Sequence, residues 1–305
     1  MDTYGKILER QRMNKIWDSL EQFGFVSHNT VSLFSSVTRD NASLKVWRDE
    51  VSEVVFIKDH YVGDQAYTAS EYVKDTPVDE QSRSFEDQRN LERRLSAFKH
   101  YTWGKDICDF GCGEGLFIDS VMNDCSSVLG VELQTRYLDA MKRRGVPCID
   151  SLDKIPDSSL DCIFSFHVIE HLPDPLEILS RLKDKLRPGG LLIVEVPHAR
   201  DILLSGPIAS ESFKRFTLWS QHLLLHTRDS LRAFLSHTGF ENILIKSIQR
   251  YPLSNHLFWL ANNRPGGHVG MLAELESSEL HEAYVASLAR IDRTDTLVAV
   301  VQKPL

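Results

Sequence analysis

A short run of glycines headed by an acidic residue carries the strongest chemical signature in this 305-residue chain. The run, DFGCGEG, covers Asp109–Gly115 and comes directly after an apolar segment and before a helical pattern. Glycines permit a sharp turn and let the backbone approach a bound molecule closely, because no side chain intervenes. The pattern predicts a nucleoside-binding turn between a strand and a helix. A tight turn that binds nothing explains the glycines alone equally well.

The glycine spacing separates two kinds of cofactor that use such a turn. A dinucleotide site follows G-x-G-x-x-G/A, but the sixth position counted from Gly111 is Leu116. An NAD-dependent oxidoreductase is therefore disfavoured. The spacing acidic-x-G-x-G-x-G instead resembles motif I of class I S-adenosylmethionine (SAM)-dependent methyltransferases. This resemblance implies that Asp109 fixes the turn and helps to hold the cationic methionine end of SAM.

Polar residues follow the next two predicted strands. Glu132 ends the segment VLGVE, about 20 residues after Gly111, where a carboxylate meets a ribose diol in this architecture. Leu133 would then lie against the adenine face, with Asp150 and Ser151 near the adenine amino group. The alternatives are a solvated acid at a strand end for Glu132 and simple turn formers for Asp150 and Ser151.

The next segments extend the resemblance. VIEHLPDP (168–175) and LRPGGLLIVEVP (186–197) resemble the Methyltransf_11/Methyltransf_23 type of class I methyltransferase, which includes ubiquinone-biosynthesis O-methyltransferases. The resemblance covers about residues 104–250 and implies that Phe166 and His167 line the cofactor and acceptor cleft. The predicted SAM-binding residues are Asp109, Gly111, Cys112, Gly113, Gly115, Glu132, Leu133, Asp150, Ser151, Phe166 and His167.

Histidines near the carboxyl ends of the later strands are the candidates for catalysis. Ligands bind outside the carboxyl ends of the strands in open α/β sheets, and histidine is the usual general base near neutral pH. We therefore consider His167, His198 and His222 as catalytic candidates, although packing or substrate orientation is an alternative for each of them. His171 is interpreted as structural. Because no acidic cluster has metal-ligand spacing, no metal site is predicted.

The segment QRYPLSNHLFWLANNRPGGH (249–268) mixes aromatic rings, amides and imidazoles. It resembles a segment of bacterial methyltransferases from polysaccharide and secondary-metabolite gene clusters. Such side chains suit polar, ring-shaped acceptors such as sugars, whereas a structured loop around Trp259 is the alternative. We therefore expect SAM-dependent O-methylation of a sugar, glycan or other small polar acceptor. A SAM-binding regulatory or assembly module without activity, and an N- or C-methyltransferase, remain open.

Apolar segments alternate with amphipathic ones between residues 106 and 303. The elements that they predict would position the candidate cofactor and catalytic residues. The segments predict a Rossmann-like α/β fold with a seven-stranded, mostly parallel sheet and helices on both faces. Residues 1–103 are expected to form an N-terminal helical lid extension, with a strand at 51–57. Residues 104–305 would form the SAM-binding domain, with acceptor-site insertions at about 198–226 and 249–290.

Composition limits the class of partner. The net charge of −8 argues against nucleic-acid binding, which needs clustered basic residues. An odd number of cysteines, no signal-peptide pattern and no apolar run of about 20 residues indicate a cytoplasmic protein without a membrane span. A homodimer is compatible with this composition.

Overall fold

The computed structural model describes residues 14–63 and 80–305. Its N-terminal elements are α1 (Ile16–Gln22), β1 (Val31–Ser35), β2 (Val46–Asp49), β3 (Val55–Phe56) and α2 (Glu80–Phe98). Strands β1, β2 and β3 form a small antiparallel sheet, and a strand from much later in the chain, β9 (Leu224–Leu225), pairs with β3. The N-terminal region expected to form a helical lid therefore contains a small sheet at residues 31–56, and β3 lies within the strand expected at 51–57.

The physical reason is the shortness and non-local pairing of these strands. β3 and β9 have two residues each, and a strand of two residues is too short for its apolar periodicity to be recognised unless it lies within a longer apolar run, as β3 does at 51–57. Their backbone groups are satisfied by partners far away in sequence, with Val55 opposite Leu225 and Phe56 opposite Leu224. All four side chains are buried.

Strands and helices alternate from residue 106 onward, as the sequence predicts. In chain order they are β4 (Asp106–Phe110), α3 (Leu116–Val121), β5 (Ser127–Val131), α4 (Thr135–Arg144), β6 (Cys148–Ile149), β7 (Leu160–Phe166), α5 (Pro175–Lys185), β8 (Leu186–Pro197), α6 (Glu211–Thr217), α7 (Arg228–His237), β10 (Glu241–Ile248), α8 (Leu253–Asn262), α9 (Ser278–Arg290) and β11 (Thr296–Gln302). Strand β9 lies between α6 and α7.

The large sheet has seven strands in the order β10-β11-β8-β7-β4-β5-β6. Neighbours from β8 to β6 are parallel, whereas β11 runs antiparallel to both β8 and β10. The predicted Rossmann-like, mostly parallel sheet is confirmed. The chain moves to one side of β4 with β5 and β6 and to the other with β7 and β8, which opens a crevice at the carboxyl end of β4.

Both faces of this sheet are covered. In β7, Ile163 belongs to the core cluster that includes α1, β3 and α7, while its neighbour Phe164 belongs to a second cluster with Phe98 of α2 and Phe117 of α3. This alternation follows from the opposite directions of successive strand side chains. In the part of the chain that the structure describes, no helix has the length and apolarity needed to span a membrane.

Local signals at helix ends determine where the loops of the crevice begin and end. Asp174 caps α5 by accepting a hydrogen bond from the backbone N–H of Glu177 at 3.1 Å, and Pro175 occupies the first helical turn. This combination starts a helix efficiently. It therefore leaves a short connection, residues 167–173, between β7 and α5.

Candidate functional site

A cavity of about 1140 Å³ opens at the carboxyl ends of β4 and β7. The glycine turn, Asp109 and Phe166 line one part of it, and residues from α6, α8 and the loops after β10 and α8 line the other. This is the location expected for a ligand in an open α/β sheet. One cavity therefore extends from the glycine turn to α6 and α8.

The glycine turn between β4 and α3 requires glycine for two different reasons. All three of its glycines have positive φ angles, which other residues rarely adopt. A Cβ atom on Gly111 would lie 2.3 Å from Val168 Cγ2, so Gly111 allows the loop after β7 to approach. A Cβ atom on Gly113 would meet no protein atom within 4 Å, although Gly113 lines the cavity. The turn thus presents bare backbone to the cavity at Gly113.

Asp109 lies at the end of β4, buried at 3% exposure, and lines the same cavity. Its Oδ1 atom has no hydrogen-bond partner among the described residues. Burial raises the pKa of Asp109 to about 7, with nearby Arg94 lowering it and Glu132 raising it. A buried carboxyl group with an unused acceptor is suited to a cationic ligand group.

Glu132 supports the glycine turn from the end of β5. Its Oε2 atom accepts a hydrogen bond from Gly113 N at 2.9 Å, and its Oε1 atom accepts one from Gln134 N at 2.9 Å. A carboxylate has about four acceptor positions, so acceptor capacity remains for further donors.

The other predicted cofactor residues differ in position. Gly111, Cys112, Gly113, Phe166 and His167 line the cavity together with Asp109, whereas Gly115, Glu132, Leu133, Asp150 and Ser151 do not. Leu133 is 46% exposed. Asp150 pairs with Lys154 at 2.6 Å, and Ser151 caps a short 3-10 helix by accepting from Asp153 N. The structure therefore does not bring Asp150 and Ser151 to the cavity.

A buried charge network holds α2 over the cofactor part of the cavity. Glu195 of β8 is fully buried and accepts hydrogen bonds from Arg93 and Arg94 of α2, each at 2.8 Å. Arg94 also lies over the Phe166 ring, 4.3 Å from its centroid. Sequence reasoning missed this network. A lone acid inside the apolar strand LLIVEVP was the available signal, because such acids are rarely buried without a partner.

His167 follows β7 with a positive φ of 57° and lies between charged groups. Its Nδ1 atom is 3.1 Å from Glu170 Oε1, and its Nε2 atom is 2.8 Å from Arg250 Nη1 and 3.1 Å from Glu195 Oε1. Both ring nitrogens already contact charged side chains. This arrangement favours an orienting role over that of a general base.

The second catalytic candidate, His222, also lines the cavity. Its ring centroid is 4.9 Å from that of His171. Burial, together with the neighbouring His171, lowers the pKa of His222 to about 3. Burial alone would raise the pKa of Glu170, but the hydrogen bond from His167 and the nearby imidazoles lower it to about 2.

The third candidate, His198, does not line the cavity. It is 1% exposed, and its Nδ1 atom lies 2.9 Å from Thr294 O. Burial lowers the pKa of His198 to about 4. The preceding residue, Pro197, does line the cavity, so alternation along the extended chain turns His198 to the opposite side.

Aromatic rings, amides and imidazoles line the remaining part of the cavity. Trp259 of α8 packs edge-on against Phe213 and Phe216 of α6, with ring centroids 5.2 Å and 5.1 Å apart. Arg39 lies over Phe216 and over Trp219 at 4.1 Å and 4.6 Å from the ring centroids. Neither Arg39 nor Trp219 was identified from the sequence, because they come from segments far apart in the chain.

The described residues fit the methionine end of SAM. Gly113 offers an open cradle that a side chain would occupy, and Asp109 offers a buried acceptor without a partner. These two features lie at the same turn. They match a ligand that needs close backbone approach and carries a cationic amine.

Residues 86–245 match the family Methyltransf_23, a methyltransferase domain. A trans-aconitate 2-methyltransferase of Rhizobium rhizogenes is 31% identical over 140 residues, which are 43% of this chain and 50% of that protein. A ubiquinone biosynthesis O-methyltransferase of Actinobacillus pleuropneumoniae is 28% identical over 199 residues, which are 56% of this chain and 80% of that protein. The chain spans about half the length of three further curated relatives, covering 40%, 49% and 50% of them.

Among solved structures, phosphoethanolamine N-methyltransferase 2 of Haemonchus contortus with bound SAM superposes with a TM-score of 0.54. It is 17% identical, and the superposition covers 98% of this chain and 75% of that one. At this identity the likeness concerns the fold. The names of these proteins include trans-aconitate and phosphoethanolamine, which are chemically different acceptors.

Proposed function

The chain belongs to the Methyltransf_23 family of class I SAM-dependent methyltransferases, and we propose that it transfers the methyl group of SAM to a small polar acceptor with a ring. A hydroxyl group of a sugar or glycan is the favoured acceptor. The observation that carries the proposal is the continuity of one cavity from the bare glycine turn to a wall of aromatic, amide and imidazole side chains.

The cofactor part of the proposal depends on three residues. Gly113 lets the backbone approach SAM, Asp109 accepts from its amino group, and Glu132 holds the turn and offers remaining acceptor capacity to the ribose. When bound, SAM supplies an electrophilic methyl group. Helix α2 covers this part of the cavity through Leu91 and Arg94 and limits the access of water.

The acceptor part depends on the wall formed by α6, α8 and the residues that directly follow them. Trp219 and Phe216 present aromatic surface, while Asn255, His256 and Asn263 present hydrogen-bonding groups. Sugars offer both an apolar ring face and hydroxyl groups, so they suit such a wall. Methyl transfer requires in-line approach of the acceptor atom, and much of the rate comes from this positioning.

Within this proposal His167 and His222 orient the acceptor at the junction of the two parts. Both line the cavity, and the contacts of His167 with Glu170 and Arg250 fix its ring. We propose no catalytic role for His198, because it does not line the cavity. We infer that residues within 201–222 and 250–268, which line the cavity, supply the acceptor wall.

Two alternatives make different predictions. A SAM-binding regulatory module would bind SAM without releasing S-adenosylhomocysteine in the presence of any acceptor. An N- or C-methyltransferase would release it, but the new methyl group would reside on nitrogen or carbon. The curated relatives do not decide the acceptor, since their names cover an organic acid and a quinone precursor pathway.

The experiment is an acceptor screen with the full chain. S-adenosylhomocysteine release is measured with panels of nucleotide sugars, free glycans, phenols, organic acids and amines, and the methylated atom is identified by NMR. Release with a sugar hydroxyl is expected. SAM binding by calorimetry without release in any panel would favour the regulatory module, and absence of SAM binding would overturn the proposal altogether.

A further inference from the structure

One carboxylate and two imidazoles meet in the cavity beside His167. We call Glu170, His171 and His222 the EHH cluster. Their potential ligand atoms all lie within 4.8 Å of one another. Glu170 Oε2 and His222 Nδ1 are buried and have no hydrogen-bond partner among the described residues. Buried polar atoms normally have partners, so the cluster is suited to a ligand that bonds to several of them together.

The backbone holds the two halves of the EHH cluster together. Leu223 N donates a hydrogen bond to Glu170 O at 2.7 Å, which joins the His222 segment to the loop after β7. His171 Nδ1 lies 3.0 Å from Gln221 O. In metal sites a ligating histidine commonly donates its other ring N–H to a backbone carbonyl. A metal ion in the cluster would therefore be ligated by Nε2 of His171.

His167 completes the surroundings of the cluster. Its Nδ1 atom lies 3.1 Å from Glu170 Oε1, on the carboxylate oxygen other than the unpartnered Oε2. Hydrogen bonds to a ligating carboxylate orient it toward the ion. The cluster thus has both the donor atoms and the outer contacts of a metal site.

We propose that the EHH cluster binds a divalent first-row transition-metal ion such as Zn²⁺, Fe²⁺ or Mn²⁺. Two nitrogen donors and one oxygen donor suit these ions, whereas Mg²⁺ and Ca²⁺ prefer oxygen donors throughout. Three protein ligands leave at least one coordination position for another molecule. Glu170, His171 and His222 all line the cavity, so that position faces the space assigned to the acceptor.

The role of the ion, but not its binding, rests on the proposed function. The loop that carries Glu170 and His171 also carries Val168, which packs against Gly111 of the glycine turn. An ion in the EHH cluster would therefore lie close to the methyl donor. It would take an oxygen atom of the acceptor, from a hydroxyl or a carboxylate, as its further ligand and hold it in place.

The test uses the full chain, freed of metal with a chelator and titrated with Co²⁺, whose visible spectrum reports coordination by protein. One equivalent per chain is expected to bind. His222→Gln and Glu170→Gln are expected to weaken Co²⁺ binding about a hundredfold. His256→Gln is the matched control, because His256 is a buried histidine of the same cavity outside the cluster; its Co²⁺ affinity should equal that of the unaltered chain.

A variant that gains a spectroscopic band keeps the test decisive even if the other variants fail to fold. His222→Cys places a thiolate in the cluster and should add a sulfur-to-cobalt charge-transfer band that the unaltered chain, with its five free cysteines, lacks. Absence of stoichiometric Co²⁺ binding, or equal loss in His256→Gln, would overturn the proposal. SAM affinity is measured in the same samples, so failure of the metal site and failure of SAM binding are distinguished.

Discussion

Glu132 and Gly113 are joined by a hydrogen bond of 2.9 Å between the carboxylate of one strand end and the backbone N–H of the neighbouring glycine turn. The second oxygen of Glu132 accepts from Gln134 N at 2.9 Å. One carboxylate therefore fixes the turn and the start of the following helix. The side chain expected to hold the ribose therefore also shapes the turn proposed to hold the methionine end of SAM.

The first prediction concerns Glu132→Gln. An amide has one acceptor oxygen, so one of the two backbone N–H groups loses its partner, at a cost of about 1–3 kcal/mol. We expect SAM affinity to fall tenfold or more by calorimetry, on the scale of about 1.4 kcal/mol per factor of ten. Glu21→Gln, which removes the same charge from an exposed residue outside the cavity, should change the affinity little. Equal losses in both variants would indicate a general charge effect.

The second prediction compares two glycines with the same backbone strain. Gly113 and Gly104 have φ angles of 53° and 64°, and a Cβ atom at either position would meet no protein atom within 4 Å. Alanine at each should cost about 1–2 kcal/mol of folding stability. Only Gly113→Ala should also reduce SAM affinity, because only Gly113 lines the cavity. Unchanged SAM binding in Gly113→Ala and in the larger Gly113→Arg would contradict the site.

The third prediction concerns the charge network under α2. Glu195→Gln leaves Arg93 and Arg94 without their buried counter-charge, and breaking such a pair typically costs about 3–5 kcal/mol. Urea denaturation should show a loss of this order. The control is Asp153→Asn, which breaks the exposed pair with Arg181 at 2.7 Å and should cost less than about 1 kcal/mol. A loss as small as that of the control would show that the network contributes little.

The fourth prediction is a pH dependence of stability from Asp201. Burial, reinforced by the nearby charge of Asp295, raises the pKa of Asp201 from 3.8 to about 7. The folded protein therefore retains a proton that the unfolded chain has lost, so this contribution to stability is present below about pH 4 and is lost as the pH rises to about 7. A shift of this size corresponds to an upper limit of about 4 kcal/mol.

Asp201→Asn keeps an acceptor for Leu203 N and cannot ionise. Its melting temperature relative to the unaltered chain should therefore rise between about pH 4 and pH 7. The exposed Asp59, changed to Asn, serves as the control and should give parallel curves. If the difference for Asp201→Asn stays constant with pH, the carboxyl group does not titrate in this range.

Local sequence signals were sufficient for the large sheet and for the glycine turn. Each strand from β4 to β8 is an apolar run ended by glycine, proline or a polar residue, and short-range patterns of this kind specify strand and helix directly. Asp109, Gly113 and Glu132 could be placed because they lie at the ends of such strands or in the turn that follows.

The remaining features depend on pairings between distant segments. Leu224 and Leu225 become a strand only because Val55 and Phe56 lie beside them. His222 meets Glu170 and His171 only because that pairing fixes the loop before β9. His198 could not be oriented from its type, since the alternation along β8 decides which side it faces.

The pairing of β3 with β9 also restricts how acceptor preference can be engineered. Val55 and Phe56 anchor a stretch that begins two residues after His222, so one part of the acceptor wall is held by residues from the beginning of the chain. A loop transplanted from another methyltransferase into 198–226 would lack the strand that pairs with it in its own protein. Chimeras should therefore exchange residues 31–57 and 198–226 as one unit, while the central sheet and the glycine turn of the recipient stay in place.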